Sequence, residues 1–216
     1  MFKKLIITSI VIVLVAFNAN AGSDGDLILK KNQPTEVQDC FENLNRATFK
    51  FNQALDGTIF KPVASAYRVL PSQVKAGVSN SLNNLSNLLT IPNNIFQGEL
   101  KKAGINSGRF ILNTTVGLLG FIDIASQLGF PEYEKEDYGQ TLATMGVGPG
   151  CYIVLPVLGP STVRDATASV ANIIGGDAWY NITVKNDTQY FSDDDYYSSK
   201  ILSGVDFRAK NFDAIE

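Results

Sequence analysis

The sequence predicts an all-α fold, and three observations carry that expectation. Apolar residues recur at steps of three and four along most of the chain, and capping residues stand where those segments begin. Glycine and proline break the one long apolar stretch that is not helical in pattern, Gly146 to Pro160, into a hairpin-like loop. The chain has 216 residues, enough for one domain with a core.

The beginning is read separately. Lys3 and Lys4, the apolar run Leu5 to Ala16 and the small residues Ala19 and Ala21 form a secretory signal peptide over 1–21. As an uncleaved membrane anchor the run is short of the ~20 residues that a span needs. Residues 22–38 are polar and without apolar period, and read as a flexible lead-in to a helical domain over 39–216.

In the first helix Phe41, Leu44, Phe51 and Leu55 recur at helical steps, with Thr48 filling the gap and Asp39 with Glu42 as a cap pair. A short second helix is expected over Pro62 to Val69, with proline early in it. A third follows Pro71-Ser72 and carries Val74, Val78, Leu82, Leu85 and Leu89 on one face. Opposite that stripe lie Asn80, Asn83, Asn84 and Asn87, and no side chain from Ala76 to Gly98 is charged. A solvated helix face would carry Lys and Glu. Two readings stay open: a buried helix with internally satisfied amides, or a helix with lipid on one side and a neutral polar lumen on the other.

Glu99 to Val116 reads as a helix with Leu100, Ala103, Ser107, Phe110 and Thr114 on one side. Phe110–Ile122 and Gly139–Val163 are again uncharged, yet Gly, Pro, Asn and Thr interrupt every such stretch, so none is a single transmembrane helix. Beyond the loop, Thr162 and Asp165 match a capping box for a helix carrying Val163, Ala166, Val170 and Ile173, ended by Gly175-Gly176. Asp193-Asp194-Asp195 opens a last helix in which Tyr197, Ile201, Val205, Arg208 and Phe212 recur at helical steps.

Composition excludes several functions. With 18 Lys+Arg against 21 Asp+Glu there is no basic stripe for nucleic acid. The absence of histidine removes the commonest general base and metal ligand, and two cysteines alone build no thiolate zinc site. Gly146-x-Gly148-x-Gly150 lacks the preceding strand and the lysine of a phosphate-binding loop. No cofactor is expected. Glu132, Glu134, Glu136 and Asp137 form the one carboxylate cluster that would serve a hydrolase, although acids alternating with Pro131, Tyr133 and Lys135 more simply make a solvated turn.

Asp39-Cys40-Phe41-Glu42-Asn43-Leu44-Asn45-Arg46, then Phe49-x-Phe51-Asn52 and Asp56, resembles the opening signature of the VacJ/MlaA family of phospholipid-transport proteins of the Gram-negative outer membrane. Matches continue in order: Arg109-Phe110 with Asn113-Thr114, Gly117 with Gly120-Phe121-x-Asp123-x-Ala125, Glu136 to Leu142, Gly146 to Gly150, Tyr152, Leu155-Pro156, Gly159-Pro160-Ser161 and Arg164-Asp165. Together they cover Asp39 to Phe212.

The resemblance implies a compact ring-like bundle of amphipathic helices in the inner leaflet of the outer membrane, with a polar channel through it. Its implied role is to remove misplaced phospholipid from the outer leaflet, with no enzymatic step. The implied partners are phospholipid, a trimeric outer-membrane porin and a soluble periplasmic lipid carrier. By match, the channel or its gating loop would involve Asn45, Arg46, Asn52, Asn113, Asp123, Gly146, Gly148, Gly150, Tyr152, Pro156, Gly159, Arg164 and Asp165. The family's lipid-bearing cysteine at the mature start has no counterpart near Ala21, so anchoring is expected to rest on the body or on the leader. Cys40 and Cys151 stand where the family usually has proline. In an oxidising compartment they are expected to pair, the alternative being two separately buried thiols. A porin-associated module that moves no lipid, and an exported carboxylate hydrolase, are the competing functions.

Overall fold

A computed structural model of the protein describes residues 38–132, 134–172, 176–185 and 191–215. The leader, nearly all of the lead-in, and the Ile173 and Gly175 of the expected helix end lie outside the described residues. The described residues fold as helices plus one two-stranded hairpin.

Helix α1 (Glu42–Leu55) runs through a π-helical turn at Asp56–Phe60 into α2 (Lys61–Arg68), so the two expected helices form one continuous rod. The turn is held from outside: Arg208 grips the Asp56 carboxylate at both oxygens, Nε–Oδ1 2.7 Å and Nη2–Oδ2 2.9 Å. That guanidinium, by donating to it, keeps the Asp56 carboxyl below its ordinary range. Asp39 does not cap α1 as expected, because the cap position is Phe41. Its Oδ1 instead accepts from the Phe41 N–H at 3.1 Å and from Asn45 at 2.6 Å.

Helix α3 (Ser72–Phe96) spans 25 residues, about 37 Å at 1.5 Å per residue. It continues past Leu89 through Pro92, which removes one rung of the ladder; nearby, the Asn93 side chain donates to the Leu89 carbonyl at 2.8 Å. Antiparallel to it packs α4 (Leu100–Thr115), after the tight turn at Gly98 (φ +78°). Short helices α5 (Ile124–Gln127) and α6 (Tyr138–Thr144) follow, each capped by the aspartate before it, Asp123 and Asp137.

The Gly/Pro segment forms an antiparallel hairpin, β1 (Tyr152–Leu155) with β2 (Gly159–Thr162). It leads into α7 (Val163–Ala171), where Thr162 caps through the Asp165 N–H as expected. After α8 (Ala178–Thr183), Ser192 and Asp195 make a reciprocal capping box for α9 (Asp193–Lys210), and α10 (Phe212–Ile215) ends the described chain. A small apolar cluster, Trp179, Val184 and Tyr196 with Leu85 and Leu88, joins α8 and α9 to α3. Beside it the buried Asp177 accepts from Lys200 at 2.8 Å and from the Tyr196 hydroxyl at 2.7 Å.

The helices stand where the period places them, and the faces that several of them bury are polar. In α1 the buried residue is Asn45, while Leu44, Phe49 and Phe51 are exposed. In α3 the fully enclosed residues are Thr90, Asn93 and Asn94, with Asn84 and Asn87 beside them, and the Leu stripe is only half-buried. Helix α4 buries Asn106, Arg109 and Asn113 and exposes Leu100 and Ile111; α9 buries Asp206 and Arg208 and exposes Tyr197 and Ile201. Amides and ion pairs occupy the interior, and large apolar side chains cover the outside.

Cys40 and Cys151 are bonded in the structure, their Cα atoms 5.7 Å apart across 111 residues of sequence. A bridge closing so long a loop restricts the unfolded chain by about 4 to 5 kcal/mol. Cys40→Ser is therefore expected to lower the chemical-denaturation midpoint, and reductant to lower that of the parent to the same value. Equal midpoints with and without reductant would show that the bridge contributes nothing.

Candidate functional site

A recess lined only by polar residues lies on the amide face of α3. Asn80, Asn83, Asn84 and Asn87 recur at helical steps of three, one and three, which puts them in one row. Facing them are Arg109 and Asn113 of α4, Asp123 and Ser126 at the start of α5, and Glu132. Together they line a cavity of about 280 Å³.

Its wall is held by an interlocked network. Arg109, buried, donates to Asp123 Oδ2 at 2.7 Å, to Ser126 Oγ at 3.0 Å and to the Pro131 carbonyl at 2.8 Å. Asn113 donates to Asp123 Oδ1 at 2.9 Å and accepts from the Ala125 N–H at 2.9 Å. Burial alone would raise the Asp123 carboxyl. Hydrogen bonds from Ser126 and Asn113 and the Arg109 charge outweigh it, leaving the group below its ordinary value. On the opposite wall Asn84 Nδ2 donates to Thr114 at 2.8 Å. The side-chain oxygens of Asn84 and Asn87, both buried, have no hydrogen-bond partner among the described residues. Such atoms call for water or a polar ligand group in the cavity.

A turn of unusual backbone closes one side. Leu118 (φ 53°), Leu119 (φ 58°) and Gly120 (φ 90°) lie consecutively in the left-handed region, where side chains other than glycine are strained. The turn is pinned by Gly120 N–H to the Asn113 carbonyl at 2.7 Å and Ile122 N–H to the Gly117 carbonyl at 2.9 Å. A Cβ on Gly120 would come within 2.5 Å of Asn84 Cβ, so only glycine fits against the amide row. The two leucines point out, each 67% exposed beside a polar cavity.

The residues carried over from the family motifs separate into two groups. Asn113 and Asp123 line the cavity. Asn45 and Asn52, seven residues apart on α1, instead clamp the hairpin. Asn45 donates to the Tyr152 carbonyl at 3.1 Å and accepts from the Val154 N–H at 2.8 Å. Asn52 donates to the Leu155 carbonyl at 2.9 Å and accepts from the Val157 N–H at 2.8 Å. Arg164 ties α7 to the glycine-rich loop, Nη1 to the Val147 carbonyl at 3.2 Å and Nε to Asp165 at 2.8 Å. Gly146, Gly150 and Gly159 take positive φ, while Gly148 and Pro156 complete the loop and the hairpin turn. Arg46 is exposed and pairs with Glu42 at 2.7 Å. Ser126 lines the cavity without any periodic or motif signal to mark it, and Glu132, marked in the sequence only as one of the 132–137 acids, lines it too.

The carboxylate cluster is structurally engaged. Buried Glu136 accepts from Gln97 at 3.2 Å, Glu134 pairs with Lys102 at 3.1 Å, and Asp137 caps α6 through the Gln140 N–H at 2.9 Å. Among the described residues no group of three or more acids or cysteines is placed to hold a metal ion.

Asp123→Asn removes the charge partner of a buried arginine and is expected to cost about 3 kcal/mol at neutral pH. Because the folded-state carboxyl sits below its ordinary 3.8, its contribution is complete above that pH and is lost as pH falls through the depressed value. Denaturation curves of the two proteins should therefore converge in acid. A constant gap from pH 7 down to pH 2 would contradict this role.

A family model described as MlaA lipoprotein matches residues 37–216. A solved structure reported as the structural basis for maintenance of bacterial outer membrane lipid asymmetry superposes with a TM-score of 0.68 at 30% identity, covering 82% of this chain and 86% of that one. The chain is 35% identical over 143 residues to the intermembrane phospholipid transport system lipoprotein MlaA of Haemophilus influenzae, covering 65% of this chain and 57% of the relative. It is 38% identical over 155 residues to an uncharacterized protein of Rickettsia conorii, covering 71% of this chain and 59% of that protein. The chain thus spans under two thirds of the length of these two relatives. With a matched model over nearly all of its described residues and a mostly helical fold shared with a solved structure, this chain belongs to the MlaA (VacJ) family.

Proposed function

We propose that this protein moves phospholipid within the bacterial envelope, taking misplaced lipid from the outer leaflet of the outer membrane and so maintaining its asymmetry. The observation that carries the reading is the reversed solvation of the fold. Buried amides and ion pairs surround a polar cavity, while phenylalanine, leucine and isoleucine cover the exterior. An apolar exterior is favourable in acyl chains and unfavourable in water, and a neutral row of amides can solvate a headgroup without trapping it. Among the described residues no helix is long and apolar enough to cross a membrane, which suits a body embedded in one leaflet.

The names of the relatives support the same pathway: the Haemophilus influenzae and Escherichia coli proteins are called intermembrane phospholipid transport system lipoproteins. Under this reading the protein works on the periplasmic side of the outer membrane, beside a trimeric porin, and passes lipid to a soluble periplasmic carrier. No covalent chemistry is required, and Glu134 and Asp137 serve as pairing and capping groups.

The test is labelling of surface phosphatidylethanolamine with a membrane-impermeant amine reagent in intact cells. Deletion should raise labelled lipid and the parent gene should restore it. Asn87→Phe, which fills the cavity, should fail to restore it at an unchanged protein level. Unchanged labelling on deletion, in cells with sealed envelopes, would reject transport and favour a module that binds a porin without moving lipid.

A further inference from the structure

A second cavity, of about 400 Å³, lies where the end of α2 meets α3 and α9. It shares Asn80 with the amide row, but its character is different. Three cations from three helices reach it: Arg68 of α2, Lys75 of α3 and Lys210 of α9. Two carboxylates answer them. Asp206, buried at its floor, accepts from Ser79 at 2.8 Å, Tyr67 at 3.1 Å and Lys210 at 2.9 Å. Asp213 takes Arg68 at 3.1 Å, and the guanidinium also lies 4.4 Å from the centre of the Phe212 ring.

Lys75 is left over. Its ammonium, on a half-buried residue, donates to the Arg68 carbonyl at 3.0 Å, and among the described residues it forms no ion pair. The cavity therefore carries one cation in excess, whereas in the central cavity Asp123 and Glu132 outnumber Arg109. A cation without a counter-charge at a cavity of this size leaves a place that an anion can pair with. The Arg68 fork and two lysines suit the several oxygens of a phosphate.

The chain next to these residues indicates where that phosphate comes from. Val69, 84% exposed, and Leu70 directly follow Arg68, Val74 precedes Lys75 and Phe207 follows Asp206, so exposed apolar side chains flank the cavity's charged residues in sequence. Cations set among exposed apolar groups are the pattern of the membrane interface, where acyl chains meet headgroups.

We propose that this cavity binds a phosphate group, supplied by the headgroup of an anionic phospholipid, and holds the protein at the membrane surface. The site is separate from the amide cavity and does not require that lipid pass through the protein.

The full chain, purified in a neutral detergent, is titrated calorimetrically with dihexanoyl phosphatidylglycerol, dihexanoyl phosphatidylcholine and inorganic phosphate. The proposal expects phosphatidylglycerol to bind more tightly than phosphatidylcholine, whose ammonium would face Arg68 and the lysines. Lys75→Gln should weaken phosphatidylglycerol about fivefold, the effect of one interfacial lysine. Lys75→Arg should retain it, and both variants should keep the parent's circular dichroism. Lys185→Gln removes the same charge from another cavity and should change nothing. Equal losses in Lys75→Gln and Lys185→Gln would overturn the site in favour of diffuse attraction. Phosphate binding that depends on Lys75, without preference for phosphatidylglycerol, would reject the lipid as source. No binding of any of the three would reject the site. Because binding is read on purified protein, each of these failures leaves the transport reading to its own test.

Discussion

The buried amide face of α3 is the constraint on which the rest of the structure depends. An asparagine carries two donors and an acceptor, and enclosing it without partners costs more than leaving out the hydrogen bonds altogether. Each enclosed amide therefore dictates what stands opposite it. Asn93 accepts from Thr141 at 2.6 Å, which fixes α6. Asn94 accepts from Asn106 at 2.8 Å and Asn84 donates to Thr114, which set the register of α4. Thr90 accepts from the Glu136 N–H at 3.3 Å and holds the segment entering α6. An apolar core of the same size would tolerate sliding of one helix past another; a core of directional bonds does not.

Close approach is the second requirement, since side-chain amides reach only a few ångströms. Small residues supply it where the chain crosses the row: a Cβ at Gly77 would run into the Phe121 ring, and one at Gly139 would sit 2.5 Å from an Asp165 oxygen. The left-handed Leu118-Leu119 turn is part of the same arrangement. It brings Gly120 onto Asn84 and turns two leucines outward, so backbone strain is accepted where it seals the polar row and adds apolar surface.

Much of this was legible in the sequence, but not which way it faced. Helical period located α3, α4, α7 and α9, and the Thr162–Asp165 box located the start of α7, because these are local properties of a few neighbouring residues. Helical period put Val74, Leu82 and Leu85 on one face and the asparagines on the other, but period alone does not say which face is enclosed. The missing charges from Ala76 to Gly98 carried that information, and left both environments open. The fusion of the first two helices was not legible, because the π turn at Asp56 answers to Arg208, 152 residues away. Ser126 and Glu132 lie in short or irregular segments, where neither period nor capping marks a cavity wall.

The hairpin shows how the motif residues divide the labour. A two-stranded ribbon leaves the outer edge of β1 without partners, and an isolated hairpin is marginal in stability. Here the Tyr152 N–H donates to the Gln38 carbonyl at 3.0 Å, Asn45 and Asn52 complete the edge, and the Cys40–Cys151 bond fastens its base. On the other side Arg164 binds the Val147 carbonyl, and its own N–H donates to the Pro149 carbonyl at 3.1 Å. With β1 and the loop before it fastened, the positive-φ glycines at 146 and 150 serve the path of a loop held at Val147 and Pro149. Freedom is left to the tip, where Val157 and Leu158 are exposed and Val157 (φ 71°) and Gly159 (φ 84°) both lie in the left-handed region. Because the Asn52 clamp reaches the Val157 N–H itself, a movement of this element that spares the amide clamps is confined to Leu158 and Gly159 at the turn.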